Sequence, residues 1–231
     1  MICPQFTLKI FADPLCCWSW ALAAELRRLE AQRKESLKIE LKMGVMIESW
    51  SRFSDPLNNI FRPAQMAPYW DFIGRQCGRP ITGKVWLDDP PGSSIPAALA
   101  VKSAQQQSES AGQHFLEILH EAVMIDGKNI AKEEILSELA DRAAKQGVLD
   151  FDQMISKISA PETVYSLRCD MQQAAAHRIG RFPAILAEQS THPPSKMLMI
   201  GFRPAEVIWH SLNLDPKKLP STVQPAESQP G

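Results

Sequence analysis

The 231-residue sequence lacks several things, and each absence removes a class of function. No apolar run approaches the roughly 20 residues needed to span a bilayer. The first ten residues carry neither a basic start nor a long apolar stretch, so no secretory leader is expected and the expected location is cytoplasmic. Charge of one sign is also missing: 25 Lys and Arg stand against 26 Asp and Glu, for a formal net charge of −1. That balance argues against nucleic acid or an anionic membrane as partner. The five cysteines, Cys3, Cys16, Cys17, Cys77 and Cys169, form no CxxC pair, and their odd number speaks against a disulfide framework. The five histidines are scattered as well, so no metal site is written here.

What is present is an ordered sequence of periodic segments. Phe6, Leu8 and Ile10 alternate as in a strand, which Asp13-Pro14 ends. Leu15 to Arg33 reads as a helix with Leu22, Leu26 and Leu29 on one face, and Leu37 to Met43 alternates again. A strand-helix-strand unit of this length predicts a parallel, right-handed crossover. A polar, proline- and aromatic-rich stretch over 48–68 reads as loop and short helix. Helices are then expected over 97–107, 110–125, 132–146 and 151–158, with Asn129 in the capping region of the third. Pro161 opens a further helix running to Gly180. Residues 182–187 read as a buried strand, His192-Pro193-Pro194 as a turn, 197–200 as a second strand and 204–212 as a closing helix. The expected architecture is α/β. Core pieces at 5–45 and 161–213 combine into one four-stranded sheet, an all-helical insertion occupies 46–160, and 214–231 form a tail.

The chemistry points to the strand-to-helix junction, Asp13-Pro14-Leu15-Cys16-Cys17-Trp18-Ser19-Trp20. Such a junction lies at the carboxyl end of a strand, where α/β sheets bind ligands. Unpaired N–H groups and the dipole of the helix start favour an anion, so Cys16 is expected to have a lowered pKa and to act as the exposed, nucleophilic thiol. Cys17 is expected to pack inward, since adjacent helical residues point about 100° apart.

Asp13-Pro14-x-Cys16-x-Trp18-Ser19 resembles the Asp-Pro-x-Cys-Pro-Trp-Cys segment of cytoplasmic DsbA-like proteins of the thioredoxin superfamily, FrnE-type oxidoreductases among them. Phe182-Pro183 is similar to that family's cis-proline site, and the helical insertion matches its DsbA branch. Related branches are the kappa-class glutathione transferases, the 2-hydroxychromene-2-carboxylate isomerases and the adaptors of the SpxH (YjbH) type. The resemblance implies Cys16 as nucleophile, a cis Pro183 facing it, and Trp18 and Phe182 as substrate contacts. Cys17 stands where the family has proline, and Ser19 where it has the resolving cysteine.

A serine cannot attack a disulfide. A mixed disulfide at Cys16 would therefore wait for an outside thiol such as glutathione, or for Cys3, Cys77 or Cys169, while Ser19 could still hold the thiolate. Three readings follow. The first is a monothiol (CxxS) thiol-disulfide oxidoreductase or isomerase acting on a protein or glutathione disulfide, with glutathione as co-substrate and no bound cofactor. The second is a glutathione-dependent transferase or isomerase on a small apolar substrate, with Trp18, Trp20, Trp50, Trp70 and Trp86 as candidate pocket walls. The third is a non-enzymatic adaptor of the SpxH type. Cys17, Trp20 and Arg62 are accessory candidates, Arg62 as a carboxylate anchor.

Overall fold

The computed structural model describes residues 4–189 and 195–213. The expected turn at His192 and the expected tail at 214–231 lie outside the described residues.

β1 (Phe6–Ala12), α1 (Cys17–Arg33) and β2 (Leu37–Met43) form the opening unit, and β1 and β2 pair in parallel with Phe6 opposite Leu37. At the far end of the chain, α8 (Pro161–Ala176), β3 (Ala184–Gln189), β4 (Ser195–Ile200) and α9 (Ala205–Leu212) complete the core. β3 runs antiparallel between β1 and β4, giving one four-stranded sheet in the order β2-β1-β3-β4. The alternation in β1 does what the sequence pattern predicts. Phe6, Leu8 and Ile10 pack with Leu22 and Leu29 of α1 and Ile208 of α9 on one face. Phe11 turns to the other face, with Ala184, Leu186 and Ala174 of α8.

The insertion contains α2 (Met66–Cys77), α3 (Val85–Asp88), α4 (Ile95–Gln105), α5 (Glu109–Met124), α6 (Glu133–Lys145) and α7 (Phe151–Lys157). Its last four helices fall where the sequence places them, to within a few residues. Two details differ. Asn129 does not cap α6. Its Oδ1 accepts the Ala131 N–H at 3.0 Å in the preceding turn, and Lys132 occupies the cap position. α8 ends at Ala176, short of Gly180, because the chain turns at Arg178 with φ 55°.

One buried ion pair fastens insertion to core. The Lys102 ammonium, on α4, donates to the Asp170 carboxylate of α8 at 2.7 Å, and the same oxygen accepts the Met43 N–H at the end of β2 at 3.0 Å. Both side chains are 7% exposed. Removing one partner of such a pair strands a buried charge and costs about 3–5 kcal/mol. Lys102→Ala is therefore expected to lower the unfolding free energy by about 3 kcal/mol in urea titration. Lys145→Ala, which breaks a surface pair with Asp141, should cost under ~0.5 kcal/mol.

Candidate functional site

The end of β1 and the start of α1 are held together through Asp13. Its carbonyl accepts the Cys16 N–H at 3.1 Å, closing the turn that carries the thiol. Its N–H is directed at the Ser19 hydroxyl oxygen at 3.4 Å. Its carboxylate is fully buried and accepts the Leu15 N–H at 2.7 Å and the Met46 N–H at 2.6 Å. A buried carboxylate loses hydration that two or three hydrogen bonds replace only in part. Burial accordingly raises the Asp13 pKa from 3.8 to about 6, against the opposing pull of Met46, Ser94 and Leu15.

Cys16 is the N-cap residue of α1, with φ −93° and ψ 109°, and its carbonyl accepts the Ser19 and Trp20 N–H groups at 2.9 and 3.2 Å. Its thiol donates to the Phe182 carbonyl at 3.3 Å. The Phe182–Pro183 peptide is cis, and Phe182, the neighbour of the proline that the resemblance sets opposite the thiol, lies 166 positions from Cys16 in sequence. The Phe182 ring is seated on Gly44, where an added Cβ would fall 2.1 Å from the ring's Cζ. Glycine at 44 is what allows β2 to end directly beneath that ring.

Two expectations are corrected here. Cys16 is not the exposed cysteine of the pair: Cys16 is 4% and Cys17 2% exposed. Nor is its pKa lowered. Burial pushes the thiol up from 9.0 to about 11, aided by the Asp13 carboxylate. The Ser19 side chain and the N–H groups of Ser19 and Trp18 pull it down, but less strongly. The helix start does stabilise an anion, as the sequence suggests, yet desolvation outweighs it. Cys17 is raised further still, by burial first and then by Cys16.

The thiol lines a cleft of about 820 Å³ between core and insertion. Trp18, Phe182 and Tyr69 border it, with Trp18 donating its indole N–H to the Tyr69 hydroxyl at 2.9 Å and packing on Phe202 at 5.6 Å between ring centroids. Arg52, Arg181 and Arg203 also line it. Arg52 pairs with Glu48 at 3.0 Å and Arg181 with Asp55 at 3.3 Å, while Arg203 turns back to the Phe202 carbonyl. These arginines were missed by sequence reading, because nothing in their local pattern connects them to Cys16. Arg62, the residue chosen instead, is exposed beside the short turn Pro63–Gln65 and does not line the cleft.

The tryptophans divide. Trp18 and Trp70 reach the cleft, but Trp20, Trp50 and Trp86 do not. Trp20 is core, 3% exposed beneath the Arg79 guanidinium, and is no accessory to the thiol. Trp50 packs edge-on against Trp86 at 5.8 Å and donates its N–H to the Pro91 carbonyl at 2.9 Å. Among the described residues no cluster of His, Cys, Asp and Glu could hold a metal ion, and no helix is long and apolar enough to cross a membrane.

A four-stranded mixed sheet carrying a cysteine at a helix start, faced by a cis-proline and interrupted by a helical block, is the thioredoxin architecture in its DsbA-like form. The thioredoxin family model matches residues 10–210, and the chain belongs to that family. It is 27% identical to the ClpXP adapter protein SpxH of Bacillus subtilis, over 97% of this chain and 73% of that protein. To the SpxH of Halalkalibacterium halodurans it is 32% identical, over 70% of this chain. The chain spans 52% of the length of that relative. A probable DsbA oxidoreductase from Streptomyces coelicolor has the same fold, with a TM-score of 0.69 at 18% identity over 98% of this chain and all of that one.

Two measurements test the site. Alkylation of Cys16 by iodoacetamide, followed by peptide mass mapping, should titrate near pH 11, leaving roughly 10⁻⁴ of the thiol ionised at pH 7 against a few per cent for an ordinary cysteine. A midpoint below about 8 would mean that the helix terminus prevails over burial.

The second concerns Asp13 and His120. His120, on α5, is fully buried and its Nε2 donates to the Asp13 carbonyl at 3.3 Å. Burial lowers its pKa from 6.5 to about 4. As pH rises through about 4–6, folded Asp13 keeps a proton that the unfolded chain loses, so its contribution to stability falls. Over the same range the unfolded chain retains a proton that folded His120 has already released, so that contribution rises. Each amounts to at most about 1.4 kcal/mol per pH unit, and the two oppose. Asp13→Asn removes one of them. Its stability should climb with pH, relative to wild type, by about 1.4 kcal/mol per unit across this window in urea titrations. Parallel curves would show that Asp13 does not hold its proton there.

Proposed function

We propose that this chain is a cytoplasmic binding adaptor. It seats a protein partner in the cleft around Cys16 and presents it to a protease of the ClpXP type, without exchanging disulfides with it. The observation that carries this reading is the state of the thiol. Cys16 is buried, hydrogen-bonded to the Phe182 carbonyl and raised to about pKa 11, and the fourth position of the motif holds Ser19, whose oxygen faces the Asp13 N–H. A thiol so placed is a poor nucleophile at neutral pH and has no neighbour one turn away to release a mixed disulfide. The cleft is large, and its border carries exposed apolar side chains, Met171 and Ile200, that suit a protein surface. The SpxH relatives, named as ClpXP adapters, support the same role.

A second reading keeps the thiol at work. Cys16 lines the cleft floor, and the arginines around it could receive the carboxylates of glutathione, so a slow monothiol exchange with glutathione as co-substrate fits the same geometry. In that case Ser19→Cys would supply a resolving thiol and shorten the life of the Cys16–glutathione adduct.

A proteolytically inactive ClpXP trap, expressed with and without this chain, separates the two. The adaptor reading expects proteins retained in the trap only when the chain is present, and the same set when Cys16→Ala replaces it. An unchanged set with and without the chain overturns it. Loss of the set with Cys16→Ala, together with Cys16-dependent reduction of glutathione mixed disulfides, would favour the thiol reading.

A further inference from the structure

The cleft around Cys16 is not electrically balanced. Among the described residues Arg52, Arg181 and Arg203 line it against Glu48 and Asp55, three positive charges to two negative. The pairing shows where the excess lies. Arg52 is matched by Glu48 and Arg181 by Asp55. Arg203 has no carboxylate within ion-pair distance among the described residues, and its Nη1 donates at 2.7 Å to the carbonyl of its own neighbour, Phe202. The turn after β4 sets its place. Gly201, with φ 84°, carries the chain out of the strand, and its N–H donates to the Pro183 carbonyl at 2.8 Å. A Cβ built on Gly201 would lie 3.7 Å from the Arg203 Nη1. The guanidinium therefore folds back against Gly201, the residue bonded to the cis-proline. Phe202, between them, packs on Trp18. Ile200 at the end of β4 and Met171 on α8, 36% and 40% exposed, add apolar surface to the same lining.

We propose that the cleft selects a protein segment in which an Asp or Glu side chain stands beside large apolar residues, with the carboxylate on Arg203 and the apolar side chains on Trp18, Phe202, Ile200 and Met171. The inference rests on the adaptor reading of the cleft and adds the chemical class of what is bound there. Charge complementarity chooses that class. A basic segment adds repulsion to an unmatched guanidinium, and an uncharged one covers it while returning only neutral acceptors. A carboxylate accepts two parallel N–H groups from one guanidinium, which fixes position as well as charge. Apolar side chains seated around the pair keep water from it and strengthen it relative to an ion pair on open surface.

Selection of a phage-displayed library of random peptides on the immobilised full chain tests this. Wild type is expected to enrich peptides with Asp or Glu next to Leu, Ile, Phe or Met. Arg203→Glu should exchange the acidic residue for Lys or Arg, and Arg203→Lys should keep it acidic. Lys145→Glu makes the same change of net charge outside the cleft and should select the wild-type peptides. In a synthetic copy of one selected peptide, Asn in place of the Asp should weaken binding about fivefold by fluorescence polarisation, the equivalent of one charge-assisted contact. Against Arg203→Gln the two peptides should bind alike. No recovered peptide, no enrichment of acidic residues, the same peptides from Arg203→Glu, or a preference reversed equally by Lys145→Glu would each overturn the assignment. The ClpXP trap stays a separate test. An acidic consensus beside a trapped set that ignores the chain would overturn the adaptor reading alone. Absence of that consensus beside a chain-dependent trapped set would overturn this inference alone.

Discussion

The buried carboxylate of Asp13 is the constraint on which the rest of the site depends. Through main chain and side chain together, one residue fixes the turn that carries Cys16, the exit of β2 at Met46, and His120 of the insertion. These are three elements distant in sequence, and all are needed for the cleft to exist. The two carboxyl oxygens accept one N–H each, Oδ1 from Leu15 and Oδ2 from Met46, and an exposed side chain could not reach them. The same carboxylate disfavours a thiolate nearby and contributes to the raised pKa of Cys16. The group that builds the site thus also quiets the nucleophile.

That tension explains why the motif and its environment point in different directions. A cysteine at a helix start reads as reactive, and in a solvated site the dipole and the free N–H groups would make it so. Here both cysteines are covered and the thiol proton is donated to Phe182. The thioredoxin architecture is present, and burial favours the neutral form of the thiol within it.

Much of the fold was legible because its signals are local. The alternation of Phe6, Leu8 and Ile10, the second alternating run at Leu37 to Met43, and the apolar stretch after Pro183 each mark a strand by residues a few positions apart. The pairing of Cys16 with Phe182-Pro183 was legible only through the family resemblance. The helix at Met66–Cys77 was not read, since Pro68 and Gly74 interrupt its pattern and the polar stretch before it reads as loop. Burial of Cys16 and the arginines of the cleft depend on contacts between segments more than thirty residues apart, which no window of sequence contains. Arg62 is the arginine that the local sequence offers, whereas the fold brings Arg181 to the cleft.

The insertion joins the core by two chain crossings, one after Met43 and one before Pro161. Side chains add further ties: His120 to Asp13, Glu117 to Arg27 and Gln105 to the Leu41 carbonyl. The Lys102–Asp170 pair bridges α4 and α8 across this same boundary. Ala12, Leu15, Trp20, Leu41 and Met43 share one hydrophobic cluster with the insertion helices, so widening the cleft would uncover apolar surface as well as part a buried charge pair. A partner that fits the cleft at its resting width avoids that cost.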